Sequence, residues 1–158
     1  MGIEIERKFL VVNDDWRRQG QATLLRQGYI SSEAGRIVRV RIAADRATLT
    51  IKGMSSGISC GEWEYPIPLA DAQALLSEVC QPPLIEKARH RILHEGLLWE
   101  VDEFFGDNAG LVVAEVELES ETQEFSRPSW LGAEVSHDRR YANANLLKHP
   151  YRSWTKRG

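Results

Sequence analysis

Seven short segments of this chain place charged side chains at alternate positions, and within each segment the charges are mostly of one sign. Residues two apart on a β-strand project from the same face. Read as strands, Glu4, Glu6 and Lys8 share a face, as do Arg39 and Arg41, with Val38, Val40 and Ile42 on the other side. Lys52 alternates with Leu49 and Ile51, and Glu62 and Glu64 oppose Trp63, Tyr65 and Ile67. Lys87, Arg89 and Arg91 oppose Ala88, His90 and Ile92. Glu100 and Asp102 alternate with Trp99 and Val101, and Glu115, Glu117 and Glu119 oppose Ala114, Val116 and Leu118. This pattern predicts strands over 3–12, 23–31, 36–43, 47–53, 62–69, 85–93, 97–105 and 111–120, joined by connections short enough to make most pairs antiparallel.

Few other elements are predicted. Helical spacing marks 71–80, with Asp71 placed to cap its start and Pro82 and Pro83 to end it. The Gly/Ser-rich stretch 54–61 reads as a loop, residues 121–125 as a short helix, and 138–148 as another. The length of 158 residues suits a single domain with its own core. A formal net charge of −3 argues against a general nucleic-acid partner, though not against a local basic site. Two cysteines, Cys60 and Cys80, form no CxxC pair, so neither a zinc framework nor a disulfide scaffold is expected. The charges at Glu4, Glu6, Arg7 and Lys8 interrupt any leader-like apolar run, and no stretch approaches ~20 apolar residues. A cytoplasmic location without membrane association is therefore expected.

For any one strand, a sheet with one wet face accounts for the charges. The set resists that reading. Side chains two apart lie roughly 6–7 Å from each other. At an effective dielectric near 20, like charges at that spacing repel by roughly 2–3 kcal/mol before screening. Bridging ions remove that cost. Clustered Arg and Lys take an oligoanion, clustered carboxylates take a hard divalent cation, and a site with both takes a metal–phosphate complex. Eight antiparallel strands with one charged face could close into a barrel whose interior is a hydrated tunnel. No P-loop motif is present, so a nucleotide-binding α/β architecture is not expected.

The opening Glu4-Ile5-Glu6-Arg7-Lys8 is an ExExK motif. Arg39-Val40-Arg41, Thr50-Ile51-Lys52-Gly53, Glu62/Glu64, Lys87/Arg89/Arg91, Glu100/Asp102 and Glu115/Glu117/Glu119 follow it in order. In this the chain resembles the CYTH domain, or triphosphate tunnel metalloenzyme, superfamily, and HDRRYANANL (137–146) resembles its plug region. The resemblance implies a mainly β fold: a closed eight-stranded antiparallel barrel forming a charged tunnel, with a few peripheral helices. It also implies dependence on Mg²⁺ or Mn²⁺. Metal ligation falls to Glu4, Glu6, Glu115 and Glu117. Phosphoryl binding falls to Lys8, Arg39, Arg41, Lys52, Lys87 and Arg89, with Tyr29 near the tunnel mouth or in the core. Glu62, Glu64, Glu100, Asp102 and Glu119 orient the bases, hold a second metal or position the attacking water. Arg139 and Arg140 either reach a terminal phosphate or face solvent, and the four histidines show no ligand spacing.

Among the family's chemistries, the short length and the opening EIERKFLV resemble most the small bacterial inorganic triphosphatases, with a homodimer expected from their habit. Three rival readings remain open at this point. One is a cyclase or hydrolase acting on a nucleotide or thiamine triphosphate, one is a non-catalytic polyphosphate-binding module, and one is a plain sandwich with charged outer faces.

Overall fold

A computed structural model describes residues 2–154 of the chain. Nine strands carry the fold: β1 (Gly2–Val11), β2 (Ala22–Glu33), β3 (Arg36–Ala43), β4 (Arg46–Ser56), β5 (Ser59–Ile67), β6 (Gln81–His94), β7 (Leu97–Phe104), β8 (Val112–Glu117) and β9 (Leu131–Glu134). Two α-helices accompany them, α1 (Leu69–Glu78) and α2 (Asn143–Lys148). The sheet runs β5-β4-β3-β2-β6-β7-β8-β1, and β1 then pairs with β5, closing an eight-stranded antiparallel barrel. One edge of β1 serves two partners in turn. Its first residues pair with β5 (Gly2↔Glu62) and its last with β9 (Val11↔Leu131), while β8 holds the other edge through Glu6↔Glu117.

Tight hairpins follow from turn chemistry. Glu95 and Gly96 both take positive φ between β6 and β7, the backbone that a two-residue hairpin with the native strand twist requires. At Gly28 the constraint is close approach, because a Cβ there would lie 2.7 Å from Leu84 Cδ2 and 2.9 Å from Cys80 Cβ.

Period-two alternation sorts the barrel into a charged lumen and an apolar exterior, so two of the three cores lie outside the ring and the third plugs one end of it. Phe9, Ile92, Trp99, Val101, Ala114 and Val116 form the largest, covered by Trp16 from a 3-10 turn at Asp15–Arg18 and by Trp130. Trp99 stacks edge-on with Trp130 at 5.8 Å and Phe125 at 5.7 Å between ring centres. Ala72 and Leu76 of α1 cover Val40 and Ala47. Leu146 and Leu147 of α2 pack with Tyr29, Ile85, Phe104 and Val113, which sets α2 across one end of the tunnel. No helix among the described residues is long and apolar enough to cross a membrane.

Several local expectations are corrected. The stretch 54–61 is no loop: β4 and β5 run through it to a turn at Gly57, pairing Ser55 with Cys60. Pro82 and Pro83 do follow a helix, α1, which ends at Glu78, but they lie inside β6. The β2–β6 register jumps from Gln27↔Ile85 to Tyr29↔Gln81, and this irregularity absorbs two residues that have no N–H to offer. Asp71 sits in the first turn of α1 but does not cap it; the capping position is Pro68. Residues 121–125 form no helix; Phe125 is drawn onto Phe9 and Trp99 instead. A helix that short is marginal by itself. The last predicted strand ends at Glu117, three residues early.

Candidate active site

Seven of the eight predicted strands converge their charges on one cavity of about 380 Å³. Glu4, Glu6 and Lys8 reach it from β1, Tyr29 from β2, Arg39 and Arg41 from β3, and Lys52 from β4. Glu62 and Glu64 come from β5, Lys87, Arg89 and Arg91 from β6, Glu100 from β7, and Glu115 and Glu117 from β8. Asp102 stands behind the wall, fully buried, rather than in the lining. Glu119 lies beyond the end of β8, exposed, and is absent from the lining. Arg140 is paired on the surface with Asp138 at 2.6 Å, and neither it nor Arg139 borders the cavity.

The two sides of this cavity differ in charge balance. On the β6–β7 side, Asp102 accepts from Arg89 Nε at 2.7 Å and Nη2 at 2.8 Å, and its Oδ2 lies 2.8 Å from Lys87 Nζ. Burial alone would raise the Asp102 pKa, but the two cations overcome it and hold the carboxyl far below the ordinary range. Lys87 pays the other half of that account. Its complete burial, abetted by Arg89 and Arg41, drives the ammonium down to about 7 against the pull of Asp102. Glu100 lies 3.3 Å from Arg89 and 3.4 Å from Arg91.

On the other side, carboxylates crowd each other. Lys52 Nζ sits 2.8 Å from Glu4 and 3.7 Å from Glu62, and Lys8 Nζ sits 4.0 Å from Glu6 and 3.8 Å from Glu115. Glu4 is raised by burial but held below its ordinary pKa by Lys52. The rest fare differently. Burial, with the charge of Glu115, pushes Glu6 well up. Burial and the neighbouring Glu4 push Glu62 to about 7, and burial with Glu4 and Glu100 raises Glu117. Glu6 and Glu117 face each other directly across the β1–β8 pair. Glu115, whose burial is outweighed by Lys8 and by Arg89, falls to about 2.

The structure also brings in residues that sequence reasoning missed. Thr50, fully buried on β4, accepts from Arg39 Nη2 at 3.3 Å and donates to Glu64 at 2.9 Å. Gln27, fully buried on β2, accepts from Arg41 Nε at 2.9 Å. Asn143, the first residue of α2, accepts from Lys87 at 2.8 Å and from Gln27 at 3.2 Å. Thr50 and Gln27 precede Lys52 and Tyr29 by two residues, so the alternation itself could have found them. Asn143 carries no such signal, since only the folding back of α2 brings it to the tunnel.

Comparison with known proteins is decisive for the family. The CYTH domain profile matches residues 2–151. The chain belongs to the CYTH domain family. It is 48% identical over 154 residues to an inorganic triphosphatase of Acetivibrio thermocellus, covering 98% of this chain and 99% of that protein. An inorganic triphosphatase of Nitrosomonas europaea is 36% identical over 147 residues, covering 90% and 95%. The crystal structure of an inorganic triphosphatase superposes with a TM-score of 0.63 at 34% identity, over 91% of this chain and 97% of that one. The closed barrel that the resemblance implies is the observed fold, and it superposes on that solved triphosphatase over most of both chains.

Among the described residues no three carboxylate, thiol or imidazole groups converge closely enough to hold a cation unaided. The donor chemistry nevertheless fits a hard divalent ion. Glu6, Glu62 and Glu117, each raised above its ordinary pKa, are oxygen donors short of positive charge beside Glu4, and Mg²⁺ is ordinarily bound by one or two carboxylates with substrate phosphate oxygens completing the shell.

Proposed function

We infer that this chain hydrolyses inorganic triphosphate to pyrophosphate and phosphate with the help of Mg²⁺ or Mn²⁺. The observation that carries this reading is a single cavity lined by seven cations and seven carboxylates, in a chain 48% identical over nearly its whole length to an inorganic triphosphatase. Glu4, Glu6, Glu115 and Glu117 would hold the divalent ion, which supplies charge neutralisation of the phosphoryl oxygens when bound.

The remaining chemistry is done by the chain. Arg39, Arg41, Lys52, Arg89 and Lys8 surround the triphosphate and neutralise charge on its non-bridging oxygens, and Lys87, down at about 7 in the ligand-free protein, joins them as the bound polyanion draws a proton onto it, together holding the substrate in one orientation. Asp102 fixes Lys87 and Arg89 from behind, and Thr50 links Arg39 to Glu64, so these bases need little reorganisation on binding. Water adds in line to a terminal phosphorus as the bridging P–O bond breaks, and pyrophosphate leaves. The proton released by the water passes to a carboxylate of the acidic side. Glu62, with a pKa of about 7, is suited to accept it at alkaline pH.

The test is phosphate release at alkaline pH with Mg²⁺ or Mn²⁺, comparing inorganic triphosphate with ATP and assaying the ATP reaction for cAMP. Fast, metal-dependent release from triphosphate is the expected outcome. Production of cAMP with little release from triphosphate would overturn the reading.

A further inference from the structure

Seven cationic side chains line the cavity, and six of them have a carboxylate oxygen within 4.0 Å: Lys8, Arg39, Lys52, Lys87, Arg89 and Arg91. Arg41 has none among the described residues. Its anchor is an amide, Gln27, whose Oε1 accepts from Arg41 Nε at 2.9 Å. The orientation of that amide is settled by its neighbours. A guanidinium only donates, so Oε1 must face it, and Nε2 then donates to Tyr29 Oη and to Asn143 Oδ1, each at 3.2 Å. Gln27 is completely buried, and Arg41 is flanked by Arg39 and Arg89. Burial and those two charges push the Arg41 guanidinium down to about 10.

A glutamate has the shape of a glutamine and would hold Arg41 at the same place with a stronger, charge-assisted bond. It would also cancel the field of the guanidinium at the point where the other lumen bases are already countered. We propose that Gln27 is a positioning residue whose neutrality matters: it fixes the Arg41 guanidinium without neutralising it, leaving Arg41 as the principal uncompensated receptor for a phosphoryl group in the tunnel. This deepens the triphosphatase reading and rests on it for the identity of the ligand.

The test compares Gln27→Glu with the near-isosteric Gln27→Met. Binding of inorganic triphosphate is measured by calorimetry in the presence of a chelator, and KM and kcat are measured with Mg²⁺. If neutrality matters, Gln27→Glu weakens binding by about tenfold or more and raises KM in proportion while kcat changes less. Gln27→Met, which removes the anchor and keeps the charge free, then has the smaller effect, about threefold. A purely structural role predicts the reverse order, because methionine leaves Arg41 without its acceptor and glutamate does not, while both variants equally lose the N–H that Gln27 donates to Asn143. Binding by Gln27→Glu within twofold of the parent protein, or a larger loss in Gln27→Met than in Gln27→Glu, overturns the proposal.

Thermal midpoints confirm that each variant is folded. Should Gln27→Glu not melt cooperatively, Gln27→Met decides alone, a loss beyond about tenfold showing that the amide acts through structure. A parent protein that binds triphosphate but releases no phosphate would defeat the hydrolase reading and leave the Gln27 comparison standing. One that neither binds nor turns over would defeat both.

Discussion

The two sides of the tunnel are built from the same residue types and solve the same electrostatic problem in opposite ways. Along β6, Lys87 and Arg89 are like charges at i and i+2, and one buried carboxylate from β7, Asp102, satisfies both at 2.7–2.8 Å. That circuit is closed within the chain. Along β1, β5 and β8, four carboxylates (Glu4, Glu6, Glu62, Glu115) share two ammoniums, Lys8 and Lys52, Glu117 stands beside them, and Glu6, Glu62 and Glu117 are pushed above their ordinary pKa. That circuit is open. On the proposed reading, a wall that neutralises itself is scaffold and receptor, whereas a wall with surplus carboxylates is completed by a cation from solution.

Breaking the closed side is expected to have the largest effect, and on stability. Asp102→Asn leaves two buried cations without their carboxylate. The loss of a buried partner typically costs about 3–5 kcal/mol, readable in denaturant unfolding of the ligand-free protein. A change under about 1 kcal/mol would show that the circuit is not closed in the way described.

Breaking the open side is expected to act on chemistry instead. Glu117→Gln, or Glu4→Gln, should lower triphosphate hydrolysis by about a hundredfold or more while the fold persists. Glu117→Gln removes a strained anion, so its thermal midpoint without ligand should not fall. Full activity in either variant would remove these residues from metal binding.

The contrast between walls was only half legible in the sequence. Period-two alternation identifies the strands and puts Lys87, Arg89 and Asp102 on a common face, because side-chain parity is a local property. Which carboxylate neutralises which base is a matter of register between strands. The pairing Arg89↔Asp102 depends on the Glu95-Gly96 turn, and Glu6↔Glu117 on barrel closure by residues more than a hundred positions apart. The prolines were half legible for a related reason, since α1 does end before them. At 82 and 83 they read as a helix stop, yet a break in the β2–β6 register, invisible locally, makes room for them within a strand. In sequence Asn143 stands only within the plug-like 137–146 and has no role of its own, since a polar residue at the start of a six-residue helix looks like any other until the helix closes the barrel end.

A smaller effect distinguishes the closed side by pH. Lys87 titrates near 7 in the folded protein and near 10.4 when unfolded. From pH 7 to 9 the unfolded chain therefore binds more protons at this site than the folded chain does, and the Lys87 contribution to stability rises with pH. The slope is at most about 1.4 kcal/mol per pH unit. Lys87→Met removes the contribution, so stability measured at pH 7 and pH 9 should rise by less in the variant than in the parent protein. Parallel profiles would mean that Asp102 and Asn143 hold the ammonium charged throughout.

The smallest effect is expected at Glu119, and it separates placement from motif. In sequence Glu119 completes an ExExE run with Glu115 and Glu117 and shares their parity. In the structure β8 stops at Glu117, and the Leu118 N–H bonds to Ile5 as the chain leaves the barrel. The Glu119 N–H then turns to the Gln123 side chain at 2.6 Å, and Glu119 is exposed outside the cavity. An exposed carboxylate away from the phosphoryl site contributes little to binding at physiological ionic strength, where charges beyond about 8 Å are largely screened. Glu119→Gln should therefore leave kcat/KM for inorganic triphosphate within about twofold and the thermal midpoint unchanged. If it behaves instead like Glu117→Gln, β8 continues further into the tunnel when substrate is bound, and the acidic side extends one residue pair beyond the wall described here.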